Sequence, residues 1–339
     1  MNTIINTHQP REIVRELAEA LGTGSEEFCL EQILTLPKKY GEGTIRGFNF
    51  ENGIGILIFD CKLKKRLNFT IDNTIPPLLF NFCVQGELWH YFNHDQIQYQ
   101  FSPLQGTITA NVVSSIQRLE FPENGTYLFA MVLLQRETYL KKFELMLDEM
   151  PERLATIFKD VQARQSFFYK NNYNITSADL IKKIVQKGGS CIVRSIFAEG
   201  KTLEILSHQL QQFHNDVNAP GKRVKLKAHD IEKIQEARDI LVADLTAPPT
   251  IEQLAYRIGI NRQKLKSGFK LVFDATVNEY LRNERLEKAA MLMLEGKNVA
   301  EAISEVGYNN RGYFSQRFQE KYGTLPKDYL QSVKTKIPD

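Results

Sequence analysis

The sequence has little cysteine and no paired cysteine motif: Cys29, Cys61, Cys83 and Cys191 stand far apart in 339 residues. Without Cys-x-x-Cys spacing, a zinc ribbon or dithiol redox motif is excluded, and reduced, mostly buried thiols are expected. Long hydrophobic runs are missing as well. The longest, Tyr127 to Leu134, falls far short of the ~20 residues of a membrane-spanning helix. No N-terminal signal pattern is present either, so a cytoplasmic protein with no membrane partner is expected. The motifs of common catalytic sites are absent: no Gly-x-Ser-x-Gly, no phosphate-binding glycine loop and no His-Glu-x-x-His. Charge of one sign is scarce overall, at a net +3, but residues 222 to 339 carry roughly +5 and the rest roughly −2. At 42% hydrophobic, the chain supports two globular domains with sizeable cores rather than disorder.

What is present is one unit written twice. Thr250-Ile-Glu-Gln-Leu-Ala-Tyr-Arg-Ile-Gly259 is matched by Asn298-Val-Ala-Glu-Ala-Ile-Ser-Glu-Val-Gly307. In both, apolar residues fall at i, i+3, i+4 and i+7, which places Ile251, Leu254, Ala255 and Ile258, then Val299, Ala302, Ile303 and Val306, on one helical face. Each unit opens with a capping box, Thr250 with Gln253 and Asn298 with Glu301, and closes on a glycine suited to a left-handed helix end. A second helix then starts from Asn261 or Asn310 as N-cap, with Leu265 and Phe269, or Phe314 and Phe318, facing inward. The frame is a helix-turn-helix in tandem.

The second helices carry polar residues off their apolar faces. The first presents Arg262, Gln263, Lys264, Lys266, Ser267 and Lys270; the second presents Asn310, Arg311, Gly312, Tyr313, Gln316 and Arg317. A helix-turn-helix sets the start of its second helix in the DNA major groove, so these side chains are the candidates for bases and phosphates. A solvated basic face is the bland alternative for any one such helix; repetition of the frame argues against it. Between the units, Thr276 to Leu294 reads as one helix. It would span roughly 29 Å, near the ~34 Å of one duplex turn.

From about Ile231 to Leu330 the sequence resembles the AraC/XylS family of bacterial transcription regulators. The resemblance rests on Ala255 and Phe269, on Arg285 and Ala289 in the linking helix, and on Gly307, Tyr308, Phe314, Phe318, Gly323 and Pro326 in the second unit. It implies Gln263, Lys266 and Ser267, then Arg311, Gly312, Tyr313 and Gln316, as base-facing positions. Asp274 departs from the family's usual glycine and Leu330 from its usual arginine, which puts in doubt one helix end and one contact near the backbone.

Upstream, the period changes. Pro10 opens an amphipathic helix carrying Ile13, Val14, Leu17 and Leu21, after a loose stretch over 1–9 and before a transition segment over 26–43. Nine short strands then follow between Ile45 and Leu134, with corners at Asn52-Gly53 and Gln85-Gly86-Glu87, as in a sandwich or barrel. This arrangement resembles the cupin-like sensory domain of many such regulators. The expected fold class is therefore α+β: a cupin-like β-barrel with helices over 1–218, a linker over 219–228 and an all-α tandem helix-turn-helix domain over 229–333. Phe80, Phe82, Trp89, Tyr91, Phe101 and Arg118 are the candidates for an effector cavity, against the alternative that the aromatics fill the core and Arg118 lies at the surface. The later helices include one over 192–213 whose Leu203, Leu206, Leu210 and Phe213 suit either packing on the barrel or a short homodimer seam.

The expected function is a non-enzymatic, ligand-responsive DNA-binding activator without a cofactor, with promoter DNA and RNA polymerase as partners. The segment Glu199 to Ser207 is similar to the siderophore-responsive branch of the family, which makes a siderophore one candidate effector. Two alternatives stay open. One is a metal-dependent cupin enzyme fused to a DNA-binding module, for which only His90 and His94 stand close together, without an acidic third ligand at motif spacing. The other is a regulator whose barrel serves only dimerisation or partner docking.

Overall fold

Strand and helix boundaries follow the hydrophobic period closely. The computed structural model describes residues 2–72, 75–92, 98–171, 175–218, 228–273 and 275–334. Contacts divide the chain into two units, Met1–Arg223 and Val224–Asp339; the expected linker and Asp274 fall on, or almost wholly on, residues outside that description.

In the first unit the strands are β1 (Asn2–Ile5), β2 (Glu26–Phe28), β3 (Glu31–Thr35), β4 (Gly41–Asn49), β5 (Ile54–Leu63), β6 (Leu67–Asp72) and β7 (Leu78–Gln85). They continue as β8 (Leu88–Phe92), β9 (Gln98–Phe101), β10 (Gln105–Ala110), β11 (Ile116–Phe121), β12 (Thr126–Leu134) and β13 (Phe167–Lys170). Among the described residues they form two sheets, one ordered β13-β10-β7-β12-β5-β4-β3-β2 and the other β1-β6-β11-β8-β9. The expected barrel is thus an open sandwich: the sheets face each other without closing.

Alternation explains the packing. In β5, Leu57, Phe59, Cys61 and Leu63 point between the sheets, as do Phe129 and Met131 of β12 and Phe69 and Phe121 of the smaller sheet. The rings of Phe59, Phe69, Phe121 and Phe129 lie 4.7 to 6.2 Å apart, joined by Phe101, and all five are fully buried. Truncating any one of them to alanine would cost about 3–5 kcal/mol. Asn52 and Gly53 both take positive φ, 61° and 69°, in the three-residue loop Glu51–Gly53 that turns β4 into β5.

Helix α1 (Pro10–Ala20) buries Ile13, Val14, Leu17 and Ala18 in that same core. Two expectations here are corrected. The stretch over 1–9 is not loose, because β1 pairs in parallel with β6. The transition segment over 26–43 contributes β2, β3 and the start of β4. Short strands with glutamates on them, such as Glu26 and Glu31, lack the β-branched run that marks a strand in sequence.

The opposite face of the larger sheet is covered by helices. These follow in order as α2 (Arg136–Phe143), α3 (Glu152–Lys159), α4 (Ile175–Gln186) and α5 (Cys191–Asn218). Buried Gln209 of α5 donates to the Asn81 carbonyl of β7 at 3.2 Å, and Phe213 packs edge-on against Tyr169 of β13. Arg136 is held in the interior by donating to the carbonyls of Pro76, Asn111 and Asp160; burial pulls its guanidinium down to about 10. The cysteines also differ from expectation. Cys61 and Cys83 are buried free thiols, but Cys29 and Cys191 form a disulfide with Cα atoms 5.3 Å apart.

The second unit is helical: α6 (Ala228–Ala243), α7 (Ile251–Arg257), α8 (Arg262–Phe273), α9 (Val277–Leu294), α10 (Val299–Glu305), α11 (Arg311–Tyr322) and α12 (Pro326–Lys334).

Candidate nucleic-acid interface and effector groove

Each two-helix unit is set by its own caps. Gln253 N–H donates to Thr250 Oγ1 at 3.2 Å and Thr250 N–H to Gln253 Oε1 at 2.9 Å, closing the first capping box. Asn298 and Glu301 repeat it at 3.0 and 2.9 Å. The corners follow at Gly259 and Gly307, with φ of 65° and 74°. At Gly307 the chain also passes so close to its neighbour that a Cβ would lie 2.6 Å from Thr246 Cα. Asn261 then accepts from Lys264 N–H at 2.7 Å, and Asn310 from Tyr313 N–H at 2.9 Å, starting α8 and α11 in the same way.

Helix α9 carries the two units at its two ends. Tyr280, near its start, packs on Phe269 and Phe273 of α8 at 5.8 and 4.9 Å. Leu286, Ala289, Ala290 and Met293, farther along, share a core with Ala302, Ile303, Phe314 and Phe318 of the second unit. A capping box at Thr276 and Glu279 fixes its start, and its 18 residues span about 27 Å at 1.5 Å each. Arg285 donates to the Leu245 carbonyl at 2.8 Å and covers the Tyr308 ring. Leu330 packs against the second core, together with Tyr329.

With Leu265 and Phe269, or Phe314 and Phe318, turned inward, the outer faces of α8 and α11 are left to solvent. Arg262, Gln263, Lys266 and Lys270 are exposed, as are Asn310, Arg311, Gly312, Tyr313 and Gln316; Lys264, Ser267 and Arg317 are half-buried. Several of the candidates are engaged within the protein. Lys264 pairs with Asp230 of α6 at 2.7 Å, Ser267 donates back to the Gln263 carbonyl at 2.9 Å, and Arg317 pairs with Glu320 at 2.7 Å. Gln316 reaches the same Glu320 at 3.3 Å, and Arg262 meets Glu252 at 2.9 Å. Hydrogen bonds from Arg317 and from Arg282 hold the Tyr313 phenol below its ordinary pKa. Sequence spacing treats α9 only as a connector and so does not pick out Arg282; its hydrogen bond to Tyr313 of α11 is what marks it.

A sequence model described as a helix-turn-helix domain matches residues 254–332. A second, described as the regulatory protein PchR N-terminal domain, matches residues 42–226, more than half of the chain. The chain belongs to the PchR family of AraC-type regulators. Regulatory protein PchR of Pseudomonas aeruginosa is 38% identical over 107 residues, covering 31% of this chain and 36% of its own. A helix-turn-helix regulator upstream of cgkA in Pseudoalteromonas carrageenovora is 34% identical over 82 residues, 24% of this chain and 49% of its own. The alignments thus span about a third and a half of these relatives. Among solved structures, an apo ToxT variant from Vibrio cholerae superposes with a TM-score of 0.32 at 14% identity, covering 83% of this chain and 98% of its own.

In the PchR-type unit the candidate cavity residues do not converge. Phe80 and Phe82 are fully buried and alternate with Leu79 and Cys83, so they face the helices, while Phe101 lies between the sheets. Trp89 and Tyr91 alternate with buried Leu88, His90 and Phe92 and so lie on the outer face of the smaller sheet, where Arg118 covers the Tyr91 ring at 4.3 Å. His90 is buried and bonded to Gln117 at 3.0 Å. Among the described residues no three His, Cys, Asp or Glu side chains converge as a metal site; His94 lies outside them.

A groove of about 430 Å³ does open between α2, α3 and α5. Its apolar lining includes Phe143, Met150, Leu154, Leu203, Leu206 and Leu210, and Lys142, Glu149, Ser207 and His214 supply polar groups. Lys142 lies over the Tyr139 and Phe143 rings at 5.4 and 5.8 Å.

Proposed function

We propose that the protein is a ligand-responsive, sequence-specific DNA-binding activator that reads two adjacent major-groove segments. One observation carries this: two copies of the same capped two-helix frame, joined by one rigid helix, both leave a polar, basic helix face to solvent. Gln263, Lys266, Arg311, Gly312, Tyr313 and Gln316 face bases in this reading, and Arg262, Lys270 and Arg317 hold phosphates. Homodimerisation and recruitment of RNA polymerase belong to the same proposal, drawn from the AraC/XylS resemblance, and the work is done in the cytoplasm, where the DNA is.

The effector's seat in this reading is the groove beside α5 rather than the sandwich interior, whose centre is occupied by five phenylalanine rings. Its volume lies within the range of small-molecule pockets. Its lining favours a largely apolar molecule with one acidic group set against Lys142.

Selection of bound sequences from random DNA with the intact protein tests the DNA reading. Two enriched half-elements about one duplex turn apart are expected; recovery of unenriched sequence overturns it.

A further inference from the structure

The disulfide joins two elements far apart in the chain. Cys29 is the turn residue between β2 and β3, with φ of 61°, and Cys191 is the first residue of α5, 162 positions later. Cys29 is half-buried and Cys191 exposed, so the bridge is open to reagents in solution. Cys191 also begins a 28-residue helix, whose N-terminal dipole favours the thiolate over the thiol. Cys61 and Cys83 differ on every count: burial pushes both thiols up to about 12, which leaves them inert.

A second link spans the same two elements. Glu31 of β3 is buried and pairs with Arg194, one turn into α5, at 2.5 and 2.8 Å, and with Arg46 at 3.6 Å. Opening the disulfide therefore leaves α5 attached to the sheet through Glu31 and frees only the β2–β3 turn and the first turn of the helix. A protein that works on DNA meets thiol-reducing conditions, where bridges that form are transient and redox-sensing as a rule.

We propose that Cys29 and Cys191 form a reversible redox site, a clamp on the start of the 28-residue helix α5. In the closing step the Cys191 thiolate attacks one sulfur of glutathione disulfide, forming a mixed disulfide and expelling one glutathione thiolate. The Cys29 thiolate then attacks Cys191 Sγ and expels the second. The protein loses two protons and two electrons, and one glutathione disulfide becomes two thiols. A cellular dithiol reverses the step by the same exchange. The compartment argument rests on the DNA-binding reading; the chemistry does not.

The test equilibrates the intact protein in glutathione buffers of stepped thiol-to-disulfide ratio, quenches it with acid, and counts free thiols by maleimide labelling and peptide mass spectrometry. Cys29 and Cys191 are expected to lose reactivity together as the ratio falls and to regain it on adding a dithiol, while Cys61 and Cys83 label only after unfolding. In Cys29→Ser the paired transition disappears and Cys191 carries a glutathione adduct instead, with the fold retained through Glu31 and Arg194. Amide exchange over 191–197 should quicken several-fold on reduction. Two reactive thiols at every ratio, a bridge that yields only in denaturant, or exchange that is unchanged by reduction would each overturn the proposal. Random-DNA selection reports on the DNA reading separately, so the two can fail independently.

Discussion

Asp230 and Lys264 form an ion pair at 2.7 Å in which the acid is almost wholly buried and the lysine half-exposed. One cation of α8 is thereby tied to α6 and partly neutralised within the protein. Lys264→Ala should cost about 1–3 kcal/mol of stability, between an exposed and a buried pair, and change the salt slope of DNA binding little. Lys270→Ala should do the opposite, leaving the melting temperature alone and lowering the slope by about one counterion. Melting curves and filter-binding titrations at several salt concentrations check both; equal slopes for the two variants would place Lys264 on phosphate after all.

Arg311 is exposed at the first turn of α11 and appears in no ion pair among the described residues. Replacing it by alanine should cost about 1–3 kcal/mol at one base pair and relax preference there. Equal losses on the selected site and on random DNA would reassign it to the backbone.

Gly307 and Gly259 occupy equivalent corners but differ in crowding. A Cβ at Gly307 meets Thr246 backbone at 2.6 Å, whereas at Gly259 it meets only Lys233 Nζ at 3.3 Å. Gly259→Ala should cost about 1 kcal/mol for its positive φ, and Gly307→Ala about 3 kcal/mol or more. Urea titration of the two variants should separate them; matching midpoints would mean that the Thr246 segment yields freely.

The Glu279 carboxylate accepts from Thr276 N–H at 2.8 Å, and hydrogen bonds from Thr276 hold its pKa below the ordinary carboxylate value. A depressed folded pKa gives stability that is present above the unfolded value of about 4.3 and is lost as pH falls through the folded one. Glu279→Gln keeps an acceptor and removes the titration. Its melting temperature should therefore fall less steeply than the parent's below about pH 4; parallel profiles would rule the cap out as a source of acid sensitivity.

Trp89 lies outside the groove between α2, α3 and α5. An effector seated there, a ferric siderophore among the candidates to titrate, should raise the melting temperature of the protein and leave Trp89 emission nearly unchanged. Leu210→Trp, which fills the groove, should abolish the shift. Persistence of the shift in that variant would move the effector elsewhere.

The repeated frame was legible because helical period, caps and glycine corners are local, and every cap from Thr250 to Asn310 is where spacing put it. Nine of the strands were legible for the same reason. What escaped depends on distance in the chain. β1 is a strand only because β6 offers it a partner, and β3 carries Glu31, whose burial makes sense only once Arg194 is brought up from 163 residues away. The Cys29–Cys191 pairing is equally non-local, since spacing alone cannot pair four scattered cysteines. Phe80 and Phe101 both suit an aromatic cavity by composition, but Phe80 alternates with core-facing Leu79 and so turns to the helices, while Phe101 lies between the sheets.

Because Tyr280 and Met293 anchor different bundles on one unbroken helix, α9 fixes the rotational phase between them. Adding a single residue in its middle would turn one bundle by about 100° about the axis relative to the other. Length along this rod can drift only in whole turns if both faces are to meet the same side of a duplex, so evolution has few insertions to offer here and many in the loops on either side.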